Sequence, residues 1–277
     1  MKKIMSWGLA ATLICSFTMG VTSCDDKSDN PVPAKKKYRL VQRKEVYDDG
    51  DYAITDYSYD SQGRLKTYAR VVYVAPNDTI VDANFTYTYG DHYIIEKQYE
   101  DLYKYYTLND DGLIVDVETR RASDKPGNSH YSFQYADGRV ITYQENESPN
   151  VVKFQWEGDD LMSYGQGELD NIQDNTEFTR TTLTVDNGYM MRPMVMMHEA
   201  MCMMGYYGKP SKHLEAHYHT ITQTATLFLS YDHDYTYTIA DGHIVEMVEN
   251  STSIVKYGEL DTEITRQIIT TFTYEEY

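Results

Sequence analysis

The chain is short of basic residues, cysteine and proline, and each shortage excludes a class of protein. Lys and Arg number 25 against 43 acidic residues, a formal charge of -18. No cationic surplus is therefore available to release phosphate counterions, which excludes nucleic acid as a partner. Three cysteines, Cys15, Cys24 and Cys202, are too few for a disulfide scaffold. Seven prolines in 277 residues exclude a Pro-rich body. What is abundant is tyrosine, at 28 positions, a usage that favours strands over helices. With 41% hydrophobic positions, the chain can bury the core of one large domain or two small ones.

The one long apolar stretch is N-terminal. Lys2 and Lys3 precede Ile4 to Val21, the charged and apolar regions of a secretory signal. Ser6, Gly8, Thr12, Ser16 and Thr18 dilute the stretch, and Asp25 and Asp26 follow where a stop-transfer segment would place basic residues. Cleavage is the better reading than a persistent span. Val21-Thr22-Ser23-Cys24 resembles the lipobox of bacterial lipoproteins, although Val21 and Thr22 depart from its usual residues. That resemblance implies removal of residues 1–23 and acylation of Cys24. Outer-membrane lipid would then be its partner through that one residue, at about 0.8 kcal/mol per buried methylene.

The acidic Asp25, Asp26 and Asp29 after Cys24 resemble the surface-export signal of Bacteroidota lipoproteins, implying an outer-leaflet, cell-surface address. Residues 24–37, with Pro31, Pro33 and Lys35 to Lys37, read as an extended tether. Cleavage takes the formal charge to -20 and, with Cys24 acylated, leaves Cys202 as the free thiol. Asp78-Thr79-Ile80 resembles an O-glycosylation sequon of exported Bacteroidota proteins.

From residue 38 to 277 one phrase recurs: an aromatic, any residue, an aromatic, a turn with Asp or Asn and Gly, then an aliphatic pair. Copies run Tyr57-Ser-Tyr59-Asp60-Ser-Gln-Gly63-Arg64-Leu65, Tyr106 to Ile114, Phe133 to Ile141 and Tyr237 to Val245. A tight hairpin loop needs a residue at positive φ, and Asp or Asn bonds the adjacent backbone, so each copy predicts one hairpin. Turn glycines at 63, 112, 138, 158, 188 and 242, with Gly90 between the first two, predict roughly 14 to 18 antiparallel strands. Within strands the period is two: Phe85, Tyr87 and Tyr89 alternate with Asn84, Thr86 and Thr88. The fold class is all-β, a meander curled into a barrel or half-barrel. A transmembrane barrel is disfavoured because the alternate face carries Thr, Lys and Arg and the chain ends Glu275-Glu276-Tyr277.

The hairpin phrase, the lipobox and Gly205-Tyr-Tyr-Gly208-Lys-Pro-Ser-Lys-His-Leu214 together resemble Bacteroidota lipoproteins carrying a domain of unknown function with a porin-like β fold. The phrase is also similar to YD repeats. The resemblance implies an extracytoplasmic barrel-like domain over about residues 38 to 277 and brings no catalytic residue.

One segment breaks the β pattern. Eight of the thirteen Met lie between 190 and 204, and Met190, Met194, Met197, Met201 and Met204 follow helical spacing. A short helical insertion is expected near 192–204, with Pro193 in its first turn and Gly205 past its end. It plugs one end of the barrel as packing, binds an apolar ligand, or holds soft Cu(I). Met194, Met197, Met201 and Trp156 are the candidate ligand-binding residues; Met194, Met197, His198, Met201 and Cys202 are the candidate metal ligands, with His213, His217 and His219 near in sequence.

Catalytic motifs are missing. His198-Glu199-Ala200-Met201-Cys202 puts Cys where a zincin helix needs its second His. Gly205 to Ser211 is too short for a phosphate loop and has Pro210 where an amide donor is wanted. No Gly-x-Ser-x-Gly elbow occurs, and Asp48-Asp49, Asp110-Asp111 and Asp159-Asp160 sit at turns, where carboxylates are ordinarily solvated. The expectation is a non-enzymatic surface lipoprotein that binds an apolar or amphipathic ligand or a partner protein. A structural module, a glycan binder using Tyr and Trp156 faces, and a Cu(I) protein are the alternatives. No other cofactor is expected.

Overall fold

The computed structural model describes residues 37–277 apart from 75–77, 99–100, 122–125, 147–150, 170–171, 186–196, 225 and 259. Sixteen strands follow one another: β1 (Tyr38–Tyr47), β2 (Tyr52–Tyr59), β3 (Leu65–Val74), β4 (Asp78–Tyr89), β5 (Tyr93–Lys97), β6 (Leu102–Leu108), β7 (Ile114–Arg121) and β8 (Pro126–Ala136) form the first half. β9 (Arg139–Glu145), β10 (Val151–Glu157), β11 (Asp160–Leu169), β12 (Ile172–Arg180), β13 (Glu215–Gln223), β14 (Leu227–Ala240), β15 (His243–Tyr257) and β16 (Leu260–Glu276) complete it. Each pairs antiparallel with its neighbours, and β1 pairs with β16, closing the barrel. The expected meander is therefore a full barrel rather than a half-barrel, so its edges are paired.

The turns form as the repeated phrase requires. Asp60 Oδ1 accepts the backbone N–H groups of Gln62 and Arg64, both at 2.9 Å. Asn109 repeats this with Asp111 at 3.1 Å and Leu113 at 2.9 Å. At the two Asp-Gly turns both residues are left-handed, Asp137 and Gly138 at φ 52° and 75°, Asp241 and Gly242 at 51° and 79°, the two-residue loop whose twist matches its flanking strands.

Period-two alternation sends one face inward. Ala53, Thr55 and Tyr57 of β2 are buried, Tyr57 against Tyr68 of β3, and Ala83 and Tyr87 of β4 continue the row. Outward positions are mostly polar: Lys153 and Gln155, Glu177 and Thr179, Thr236 and Thr238, Thr271 and Thr273 are all exposed. Outward apolar residues gather on one side of this wall: Val248, Ile269, Val46, Tyr52 and Tyr73 fall in register from β15 to β3, and Ile54, Val71 and exposed Val81 form a second row from β2 to β4. The turns after β2, β4, β6, β8, β10 and β14 lie at one end of the barrel, together with the paired first and last strand residues Tyr38 and Glu276.

The segment between β12 and β13 enters this same end. Its helix α1 spans only Glu199–Met203, shorter than the expected 192–204. It starts after His198, whose backbone is extended, so the helical stripe does not carry through Met197. Met190, Met194 and Pro193 lie outside the described residues.

Candidate functional site: a plugged lumen

Residues 197–214 seal the end of the barrel where the tight turns gather. Met197, Ala200 and Met201 are fully buried, as are Cys202 and Tyr207 to within 2%, and Tyr207 meets Phe133 edge-on at 5.2 Å. Backbone bonds stitch the segment to successive hairpin tips. Ile114 N–H donates to the Tyr206 carbonyl at 2.8 Å, Lys209 N–H to Gly138 at 2.7 Å, and Lys212 N–H to Asp159 at 3.1 Å. His213 adds two bonds to Asp160, from its backbone N–H at 2.8 Å and through its ring at 2.7 Å. The Gly-Lys-Pro-Ser stretch is thus a docking segment. Gly208 sits at φ +89°, and a Cβ there would lie 2.3 Å from the Gly138 carbonyl oxygen, so only glycine lets the two backbones meet.

A second device at the same end involves the last residue of the hairpin phrase's first strand. Tyr59 donates its hydroxyl to the Leu40 carbonyl at 2.6 Å, Tyr89 to Leu65 at 2.7 Å and Tyr135 to Ile114 at 2.5 Å. Trp156 Nε1 donates to Val140 at 2.8 Å, and Arg180 Nε to Leu161 at 3.0 Å. In each case the receiving residue is among the first three of the preceding strand, beyond the last rung of the ladder between the two; the β3–β4 ladder, for example, begins at Thr67–Thr86. The side chain supplies the bond that the diverging backbone no longer makes. Burial pushes the Tyr59 hydroxyl up to about 12, so these phenols stay protonated donors at neutral pH. Trp156 is accordingly half-buried at the plugged end, with Arg139 5.4 Å above its ring.

Two polar networks cross the interior. In the first, Arg43 of β1 pairs with Glu199 of the plug, and Tyr57 donates to the same carboxylate at 3.2 Å. Arg43 also lies 3.6 Å from Glu45, which Arg70 holds at 2.9 Å. Beside it, fully buried Glu96 accepts from Tyr106 at 3.0 Å and Gln98 at 2.6 Å. His198 Nδ1 is 3.8 Å from that carboxylate, with the Tyr68 and Phe85 rings within 5.4 Å. In the second network Arg180 holds Glu215 at 3.1 Å and His233 holds Glu249 at 2.7 Å, with Tyr218 stacked on His233 at 4.3 Å. Burial pushes Glu215 up to about 7, against the opposing pull of Arg180.

Of the candidate metal ligands, Met194 lies outside the described residues. Met197, Met201 and Cys202 are within the plug, His198 faces Glu96, and His217 and His219 are paired with exposed Asp residues of β14. Sequence reasoning missed Arg43, Arg70, Glu96, Glu215 and Glu249. Their signal is a charged residue at an inward position of a period-two strand, which requires knowing which face is inside.

Above the plug, inward positions become half-exposed. Tyr47, Val72, Leu229, Val255 and Ile268 line this opposite half, and inward-facing Ile80 is 50% and Ile264 42% exposed. The lumen has a built floor, and in its other half inward apolar residues alternate with inward polar ones such as Lys104, Ser251 and Arg266, with the Arg43–Glu45–Arg70 network at the side.

No family model matches the chain, and no curated protein matches it. Solved structures that share the fold include a porin-like protein from Bacteroides uniformis, 18% identical at a TM-score of 0.59 over 84% of this chain and 96% of that one, and a porin-like protein from Bacteroides vulgatus, 10% identical at 0.52 over 85% and 98%. The chain is thus a porin-like β-barrel in fold.

Proposed function

We propose that the protein is a non-enzymatic, lipid-anchored outer-membrane protein that holds an apolar or amphipathic ligand in the open half of its barrel. The observation that carries this reading is the asymmetry of the lumen: one end is stitched shut by residues 197–214, while inward Val72, Ile80, Leu229 and Ile268 at the other stay accessible. A structural barrel would gain by filling that half with packed side chains. Arg70, 19% exposed beside the Glu45 carboxylate it holds, is the charged group at the side of this half nearest a polar head group.

Anchoring through Cys24 is favoured over insertion because an inserted barrel needs an apolar girdle around its whole circumference. Here the outward apolar rows lie on one side of the barrel, from β15 to β4, while the exposed outward positions of β10, β12 and β14 are mostly Lys, Gln, Glu, Asn, Asp and Thr. The neighbours' porin-like fold agrees with an outer-membrane address.

The test is titration of the full detergent-extracted chain with a fluorescent naphthylamine probe. Saturable one-to-one binding, weakened at least tenfold by Val72→Glu and by Ile268→Glu and competed by a fatty acid, supports the reading. Absence of saturable binding, or binding unchanged in both variants, overturns it.

A further inference from the structure

We propose that the outer face of β12–β14 is a binding site for a first-row divalent cation, with His217, His219 and Asp232 as its ligands. His217 and His219 are two apart on β13, so both imidazoles leave the same face of the sheet. Across the ladder, His217 pairs with Asp234 and His219 with Asp232; on the other side His219 pairs with Glu177. Two imidazoles and three carboxylates thus share one patch of outer wall, at a place where the interior networks make no use of them.

The distances converge on one atom. Asp232 Oδ1 is 2.6 Å from His219 Nδ1 and 3.7 Å from His217 Nε2. Ligand atoms around a tetrahedral cation with bonds of about 2.0–2.1 Å are roughly 3.3 Å apart, which lies between those two separations. In the structure His219 is hydrogen-bonded to Asp232 and His217 to Asp234, and among the described residues no three His, Cys, Asp or Glu side chains stand, as placed, so that they could hold a metal ion; the site forms only when these side chains shift. Opening the His219–Asp232 contact by less than about 1 Å, with the imidazole proton moved to Nε2, makes room for the ion. His217 Nδ1 already donates toward Asp234 at 2.9 Å, the outer carboxylate that turns its Nε2 toward the shared oxygen.

The donor set selects the ion. Imidazole with carboxylate suits Zn2+, Ni2+ or Cu2+, and lacks the thioether or thiolate that Cu(I) prefers. The His side chains are 33% and 32% exposed and Asp232 39%, so a cation reaches them without opening the barrel. The formal charge of -18 raises its local concentration.

Isothermal titration of ZnCl2 into the full detergent-extracted chain, with MgCl2 as the comparison, tests this. One Zn2+ per chain is expected, with binding weakened at least tenfold by Asp232→Asn and lost in His217→Thr/His219→Thr. Threonine is chosen because it favours strands, and the melting curve reports whether the variant folds; Asp232→Asn keeps the side chain's shape and stands as the second arm. Met201→Leu/Cys202→Ser should bind as the parent does. No Zn2+ uptake, uptake unchanged in the His pair and Asp232 variants, or uptake lost only in the plug variant would each overturn the site.

Discussion

At the scale of single residues, the fold depends on side chains that complete backbone bonds. Tyr135 shows the principle: its hydroxyl satisfies the Ile114 carbonyl where the β7–β8 ladder has ended. Tyr135→Phe should lower stability by about 1 kcal/mol, read as a smaller urea midpoint, and leave the barrel's far-ultraviolet spectrum unchanged. Gly208→Ala should cost more, because the positive φ alone costs of order 1–3 kcal/mol and the new methyl meets the Gly138 carbonyl; thermal melting checks it. Glu215 sets a pH dependence. Burial raises its folded pKa to about 7, above the ordinary glutamate value of 4.5, so the folded state binds the extra proton between those values. The stability this group contributes is fully present below about pH 4.5 and is lost as pH rises through 7. Urea midpoints from pH 4.5 to 7.5 should therefore decline less steeply in Glu215→Gln than in the parent.

At the scale of elements, what was legible depended on whether the signal was local. Hairpin turns were readable because Asp60 and Asn109 bond their own loops and Gly63 and Gly112 supply positive φ. The recurring second aromatic was visible as a pattern while its purpose was hidden, since its acceptor is a backbone carbonyl and Trp156 or Arg180 can replace Tyr. The plug was readable as a Met-rich break, but helical spacing overstated its helix. Packing against hairpin tips, rather than a continuous stripe, shapes residues 197–214, and a five-residue helix such as Glu199–Met203 has no propensity to extend on its own. The closing β1–β16 ladder joins residues more than 200 positions apart, beyond any local pattern. The paired inward charges were missed for the same reason as Glu96: parity along a strand is legible, but its sign is not.

At the scale of the molecule, a sealed end and accessible inward apolar residues such as Val72 and Ile268 in the other half argue for a barrel loaded from one side. The tether carries its own prediction. Cys24→Ala should move the protein from the membrane fraction to the soluble fraction after carbonate washing with its thermal midpoint unchanged, because residue 24 precedes the barrel that begins at Tyr38. A variant that stays in the membrane would instead mean that the wall itself is embedded. The loaded lumen is the central claim, and native mass spectrometry of the chain extracted from its producing cell without refolding tests it most directly. The expected result is a stable added mass of one apolar or amphipathic molecule per barrel, absent from Val72→Glu prepared in the same way; a bare mass from repeated preparations of the parent chain would contradict it.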